Sequence, residues 1–105
     1  FSLIIFFSCS HKTFTLTDGD VKRGNEKFPA TTLASLNDGK MLYENNCGTC
    51  HALKNAASNS EEKWRDIVPK MVVKVNKKAG REELDSKKQE LILHYLVTMC
   101  NAPSK

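Results

Sequence analysis

The sequence contains no run of eighteen or more apolar residues, so no stretch of it reads as a membrane-crossing helix. It has no internal repeat and no low-complexity tract, which excludes solenoids and arrays. No alternation of apolar and polar residues is sustained over a strand length, which argues against a sheet. Charge of one sign is not concentrated either. The 16 Lys and Arg and the 12 Asp and Glu are interleaved, and a net charge of +4 spread in this way is not a nucleic-acid footprint. Acidic partners of a soluble domain are the expectation, and no nucleic acid. There is no Ser-His-Asp set and no paired array of carboxylates. Glu61-Glu62 and Glu82-Glu83 read as charges at helix N-termini, so no catalytic residues are expected and the protein is not expected to be an enzyme. A chain of 105 residues is one domain at most, with room for only a small core.

The chain opens FSLIIFFSCS without an initiating methionine, and the true N-terminus is expected to lie upstream. Phe1 to Phe7 is almost wholly apolar and too short to span a bilayer, and Ser8 then precedes Cys9; this is the pattern of the tail end of a secretory signal over residues 1–8. "FFSC" resembles a bacterial lipobox, which implies Cys9 as the lipid-bearing first residue of an exported, periplasmic, membrane-anchored lipoprotein. The competing reading, a buried strand with an inert Cys9, finds no partner strand in the polar stretch that follows. From Ser10 to about Ser35 no helical or strand period is sustained, and Gly19-Asp20, Gly24-Asn25 and Pro29 punctuate it. Residues 9–35 are thus expected to be the anchor cysteine and a flexible linker, and residues 36–105 the folded domain.

What is present in that domain is helical periodicity. A first helix is expected from about Leu36 to Asn46, with Asn37 as its N-cap. A second is announced by Ser58 with Glu61 three residues on, a capping-box pattern. It carries Trp64, Ile67, Val68, Met71, Val72 and Val75 at helical spacing, is kinked by Pro69 and is ended by Gly80. A third starts near Asp85 or Ser86 and runs to about Cys100, with Leu84, Leu91, Ile92, Tyr95, Leu96 and Met99 as its apolar stripe. The fold class is all-α. Three short helices bury little surface and need a supplement to the core.

The supplement is sought in "NCGTCHAL", residues 46–53. Structural zinc needs a second Cys or His pair, and downstream only His94 and Cys100 are on offer, six apart on one helix. A thioredoxin-like dithiol needs a strand and a sheet. Covalent haem fits: in Cys-x-x-Cys-His, Cys47 and Cys50 add to the haem vinyl groups as thioethers, and His51 is the proximal iron ligand. One haem c is the expected cofactor.

"NDGKMLYENNCGTCH" resembles the opening helix of class I cytochromes c, where a glycine and, four residues later, an aromatic precede the haem motif; here these are Gly39 and Tyr43. Tyr95-Leu96 matches the aromatic-leucine pair of the C-terminal helix, and "EEKWRDIVPKM" resembles small bacterial monohaem cytochromes c with a tryptophan and a following Val-x-x-Met. The resemblance covers about Leu36 to Cys100. It implies a small cytochrome c fold, three main helices around one haem, with the first helix crossing the last at the glycine and the methionine binding iron.

For the sixth ligand, Met41 lies before the haem cysteines and Met99 at the end of the last helix, both poorly placed for the distal side. Met71 lies on the apolar face just after Pro69. On spacing alone it is as readily core filler as ligand; the resemblance implies the ligand. His94 is the alternative, giving bis-histidine iron, and His11 a more remote one. Cys100 reads as a free thiol or one available to an intermolecular disulfide. Familiar cytochromes c carry a proline soon after the Cys-His, and this chain has none between Ala52 and Val68, so some other backbone carbonyl has to orient His51.

With both axial positions filled, the expected function is one-electron transfer between periplasmic or membrane redox proteins, such as a dehydrogenase, oxidase or reductase, by a monomer tethered through its lipid anchor. The alternatives are a haem-based sensor with an open or labile sixth position, and the haem subunit of a larger oxidoreductase. Lys70, Lys74, Lys77, Lys78, Lys87 and Lys88 read equally as a basic face that steers acidic partners and as ordinary solvated surface.

Overall fold

The computed structural model describes residues 15–47 and 54–103. Among them there are four α-helices and a short 3₁₀ turn, and no strand: α1 is Asp18–Lys27, α2 Leu33–Cys47, α3 Glu61–Ala79 and α4 Ser86–Cys100, with the 3₁₀ turn at Ala56–Ser58. The all-α expectation holds, with one more helix than the periodicity gave. Helix α4 is the hub. It packs on α2, α3, α1 and the 3₁₀ turn, and Ile92, Leu96 and Val97 on it are fully buried together with Leu36, Trp64, Val68 and Leu84.

The flexible-linker reading of residues 9–35 is corrected over its described part. Thr17 caps α1 through a reciprocal box: its hydroxyl accepts from the Asp20 amide at 3.3 Å, and the Asp20 carboxylate accepts from the Thr17 amide at 2.9 Å. The helix then docks on the C-terminal end of α4. Arg23 Nε donates to the Thr98 carbonyl at 2.9 Å while its Nη2 pairs with Asp20 at 2.6 Å. Leu16, just before the helix, joins the main core. The domain therefore begins well before residue 36.

Two cap assignments also move. Thr32, not Asn37, starts α2, because the Ser35 amide donates to Thr32 Oγ1 and the Thr32 amide to Ser35 Oγ, each at 3.0 Å. Ser60, not Ser58, starts α3 by accepting from the Lys63 amide at 3.2 Å. The other ends are as expected. Gly80 closes α3 in the left-handed region at φ 74°, and Asp85 caps α4 by accepting from Lys88. Helix α3 runs through Pro69 as one element.

Helix α2 meets α4 at Gly39. A Cβ there would land on the Leu91 carbonyl oxygen and within 2.8 Å of Tyr95 Cβ, so the two backbones touch where only a glycine leaves room.

Candidate cofactor site

The last residue of α2 is Cys47. It is half-buried, and burial pushes its thiol up to about 11. It forms no disulfide with Cys100, the other described cysteine. Cys50 and His51 lie outside the described residues, as do Cys9 and His11.

The chain is described again from Lys54, and its return is fastened from two sides. Tyr43, one turn before Cys47, donates its hydroxyl to the Lys54 carbonyl at 2.6 Å. Trp64, on the first turn of α3, donates Nε1 to the Ala56 carbonyl at 2.8 Å inside the core. The two rings meet edge to face at 5.9 Å, and Tyr43 also lies 6.2 Å from Tyr95. Cys47 at the end of α2 and the chain from Lys54 onward are thus both set beside one aromatic cluster.

Beside Cys47 lies a groove of about 500 Å³ between the end of α2, the C-terminal half of α3 and the loop that follows α3. Its lining comprises Asn45, Asn46, Cys47, Met71, Lys74, Val75, Lys78, Ala79, Arg81 and Glu83. The volume is in the range of small-molecule and cofactor sites, roughly 300–1,000 Å³. Of the three methionines, Met71 is the one on this groove, half-buried. Met41 is 57% exposed. Met99 faces α1, where its sulfur lies 3.6 Å from Arg23 Nη2.

His94 is engaged elsewhere. Its ring stacks on Phe28 at 3.8 Å and 17°, the residue that ends α1, and burial holds its pKa below the usual histidine value. It does not line the groove. Cys100 is half-buried and donates weakly to the Val97 carbonyl. Among the described residues no three His, Cys, Asp or Glu side chains converge as a metal site.

The groove sets a thiol, a thioether and two apolar side chains beside six polar or charged residues, a lining that suits a group with an apolar body and a charged edge. Cys47 stands at one end, without a disulfide partner among the described residues, and Met71, Val75 and Ala79 offer α3 spacing of four along one wall. Two contributors gave no periodic signal in the sequence. The Tyr43 hydroxyl acts over eleven residues, and Asn76 clamps the loop after α3 by donating to the Leu84 carbonyl at 3.1 Å and accepting from the Leu84 amide at 2.7 Å.

Comparison with family models, with curated proteins and with solved structures finds no match for this chain.

Proposed function

We propose that the protein is a monohaem c-type cytochrome that carries single electrons between redox proteins, with Cys47 and Cys50 as the thioether attachments, His51 as proximal and Met71 as distal iron ligand. The observation that carries the reading is that Met71 and Cys47, some 24 positions apart in sequence, line one groove adjoining the Cys-x-x-Cys-His segment. When bound, the haem supplies a one-electron iron couple. The chain contributes the rest. Burial pushes the Cys47 thiol above its ordinary value, and a thiol adds across a vinyl double bond without any oxidant. Met71 offers a soft thioether that favours ferrous iron. His94, held against Phe28, is the weaker candidate for the distal position.

Redox proteins with acidic docking faces are the partners this reading requires, and Lys70 and Lys77, exposed on α3, suit their recognition. Export and a lipid anchor at Cys9 complete the proposal and give it a periplasmic, membrane-tethered setting.

The test is spectroscopic. The full chain, produced in a host that matures c-type cytochromes, is expected to keep its haem through denaturing electrophoresis and to give low-spin spectra with the weak long-wavelength band of a sulfur–iron bond in the ferric state. Met71→Ala is expected to abolish that band and His94→Ala to leave it. A chain that carries no covalent haem overturns the proposal. High-spin spectra that shift with carbon monoxide would replace the carrier by a sensor.

A further inference from the structure

The groove has two kinds of wall. Along α3, Met71, Val75 and Ala79 recur every four residues, and Lys74 and Lys78 form the neighbouring stripe. Arg81 and Glu83 come from the loop beyond. Among the described lining residues Lys74, Lys78 and Arg81 are cationic and Glu83 is the carboxylate, which is engaged by Arg81: Glu83 Oε1 accepts from Arg81 Nε at 2.7 Å and Nη2 at 2.6 Å. With the Arg81 side chain 73% exposed, this pair is a weak surface contact, open to exchange for a better acceptor.

The loop that carries Arg81 is not loose. Leu84 is fully buried, the Asn76 side chain grips its amide and its carbonyl, and the amides of Gly80 and Arg81 both donate to the Asn76 carbonyl, at 3.0 and 3.3 Å. Asn76 is a positioning residue: it fixes the backbone from which the guanidinium reaches over the groove. A guanidinium presented in this way matches a carboxylate with two parallel hydrogen bonds.

We infer that Lys74, Lys78 and Arg81 bind the two carboxylates of the porphyrin, with Arg81 exchanging Glu83 for one of them. This rests on the haem reading above and adds to it the orientation of the ring, acid edge toward the basic stripe and thioether edge toward Cys47. It also divides the lysines of α3. Lys74 and Lys78 serve the ligand, and Lys70 and Lys77 remain for partners.

Trp64, the chain's single tryptophan, reports occupancy through quenching of its fluorescence. The full chain produced without its cofactor is titrated with iron protoporphyrin IX and with its dimethyl ester. The diacid is expected to bind about tenfold tighter than the ester, the scale of one charged hydrogen-bonded contact. That ratio should fall toward one in the Lys74→Gln/Arg81→Gln double variant. Glu83→Gln, which releases Arg81, should raise it. The ratio within each variant removes that variant's general effect on affinity, and comparing ratios between variants cancels the intrinsic difference between the two porphyrins. Equal affinities in the wild-type chain, or a ratio untouched by the double variant, overturn the carboxylate assignment and leave the haem reading standing. Quenching by neither porphyrin overturns both.

Discussion

Tyr43 Oη donates a 2.6 Å hydrogen bond to the carbonyl of Lys54, so a residue one turn before Cys47 fastens the chain on the far side of the Cys-x-x-Cys-His stretch. The ring is fixed independently by Trp64 and Tyr95. Burial, with Cys47 adding to it, pushes the phenol up to about 12, and the hydroxyl therefore stays a donor across the physiological range. Tyr43→Phe keeps the ring packing and loses the bond, an expected cost of about 1 kcal/mol. Tyr43→Ala empties the cluster as well and should cost about 3–5 kcal/mol. Urea unfolding of the two variants separates the terms; a phenylalanine variant as stable as wild type would show the bond to be energetically silent.

Gly39→Ala is the sharpest test of the helix crossing. In an isolated helix the change favours α2 by about 1 kcal/mol. Here the added methyl meets the Leu91 carbonyl oxygen and Tyr95 Cβ, atoms of a neighbouring backbone and its first side-chain carbon, which cannot rotate away. Overpacking of this kind costs about 1–3 kcal/mol or more. Net destabilisation is expected in denaturant melts. The contrasting site is Gly24, whose nearest atoms are the side chains of Thr31 and Thr98 at 3.0 and 3.1 Å; alanine there should cost less, since those side chains have rotamers to give.

Three of the helices were legible in the sequence because each has an apolar stripe and local end chemistry. Gly80 and Asp85 stop and start helices through their own backbone and side chain, with no help from distant residues. Helix α1 was not legible for the converse reason. It buries Asp20 and Gly24 rather than large apolar side chains, so it has no period of 3.6 to read, and its capping box uses aspartate where glutamate or glutamine is usual. Cap assignments at Asn37 and Ser58 failed because Thr32 and Ser60 compete for the same role a few residues earlier or later, and propensity alone does not rank them. In the groove, Met71 was singled out through the family resemblance, since its helical face alone left it as readily core filler. Arg81, Glu83 and the Asn76 clamp were not, since a side chain that grips a backbone eight residues away leaves no trace in spacing.

Asp20 tests the newly found helix. Burial raises its pKa, but the Thr17 amide and the Arg23 guanidinium, with the Thr17 hydroxyl, outweigh that, and the carboxyl lies below its ordinary value. A folded pKa below the unfolded one means that the stabilisation is present above the ordinary carboxylate range and is lost as pH falls through the folded value. Asp20→Asn keeps the shape and removes the charge. It should cost about 1–2 kcal/mol near neutral pH, and the gap to wild type should close as pH falls through the ordinary carboxylate range and below it. Thermal melts across that range are the measurement, and a gap independent of pH would assign the effect to shape rather than charge.

His94 ties α1 to α4 by stacking on Phe28, with the Arg65 guanidinium 5.7 Å from the same ring. Burial lowers its pKa; Glu90 acts in the opposite direction, and Lys87 and Arg65 add to the lowering. The folded state therefore disfavours the imidazolium. Stability that is present above the unfolded histidine value of about 6.5 is lost as pH falls below it toward the folded pKa. Phenylalanine at this position retains an aromatic face for Phe28 and cannot take up a proton. His94→Phe is accordingly expected to lose less stability than wild type between about pH 7 and pH 5. Melting both proteins at the two pH values decides it: the contributions of His11 and His51 are common to both chains and cancel, so an identical loss would show that the stack on Phe28 tolerates the charged ring.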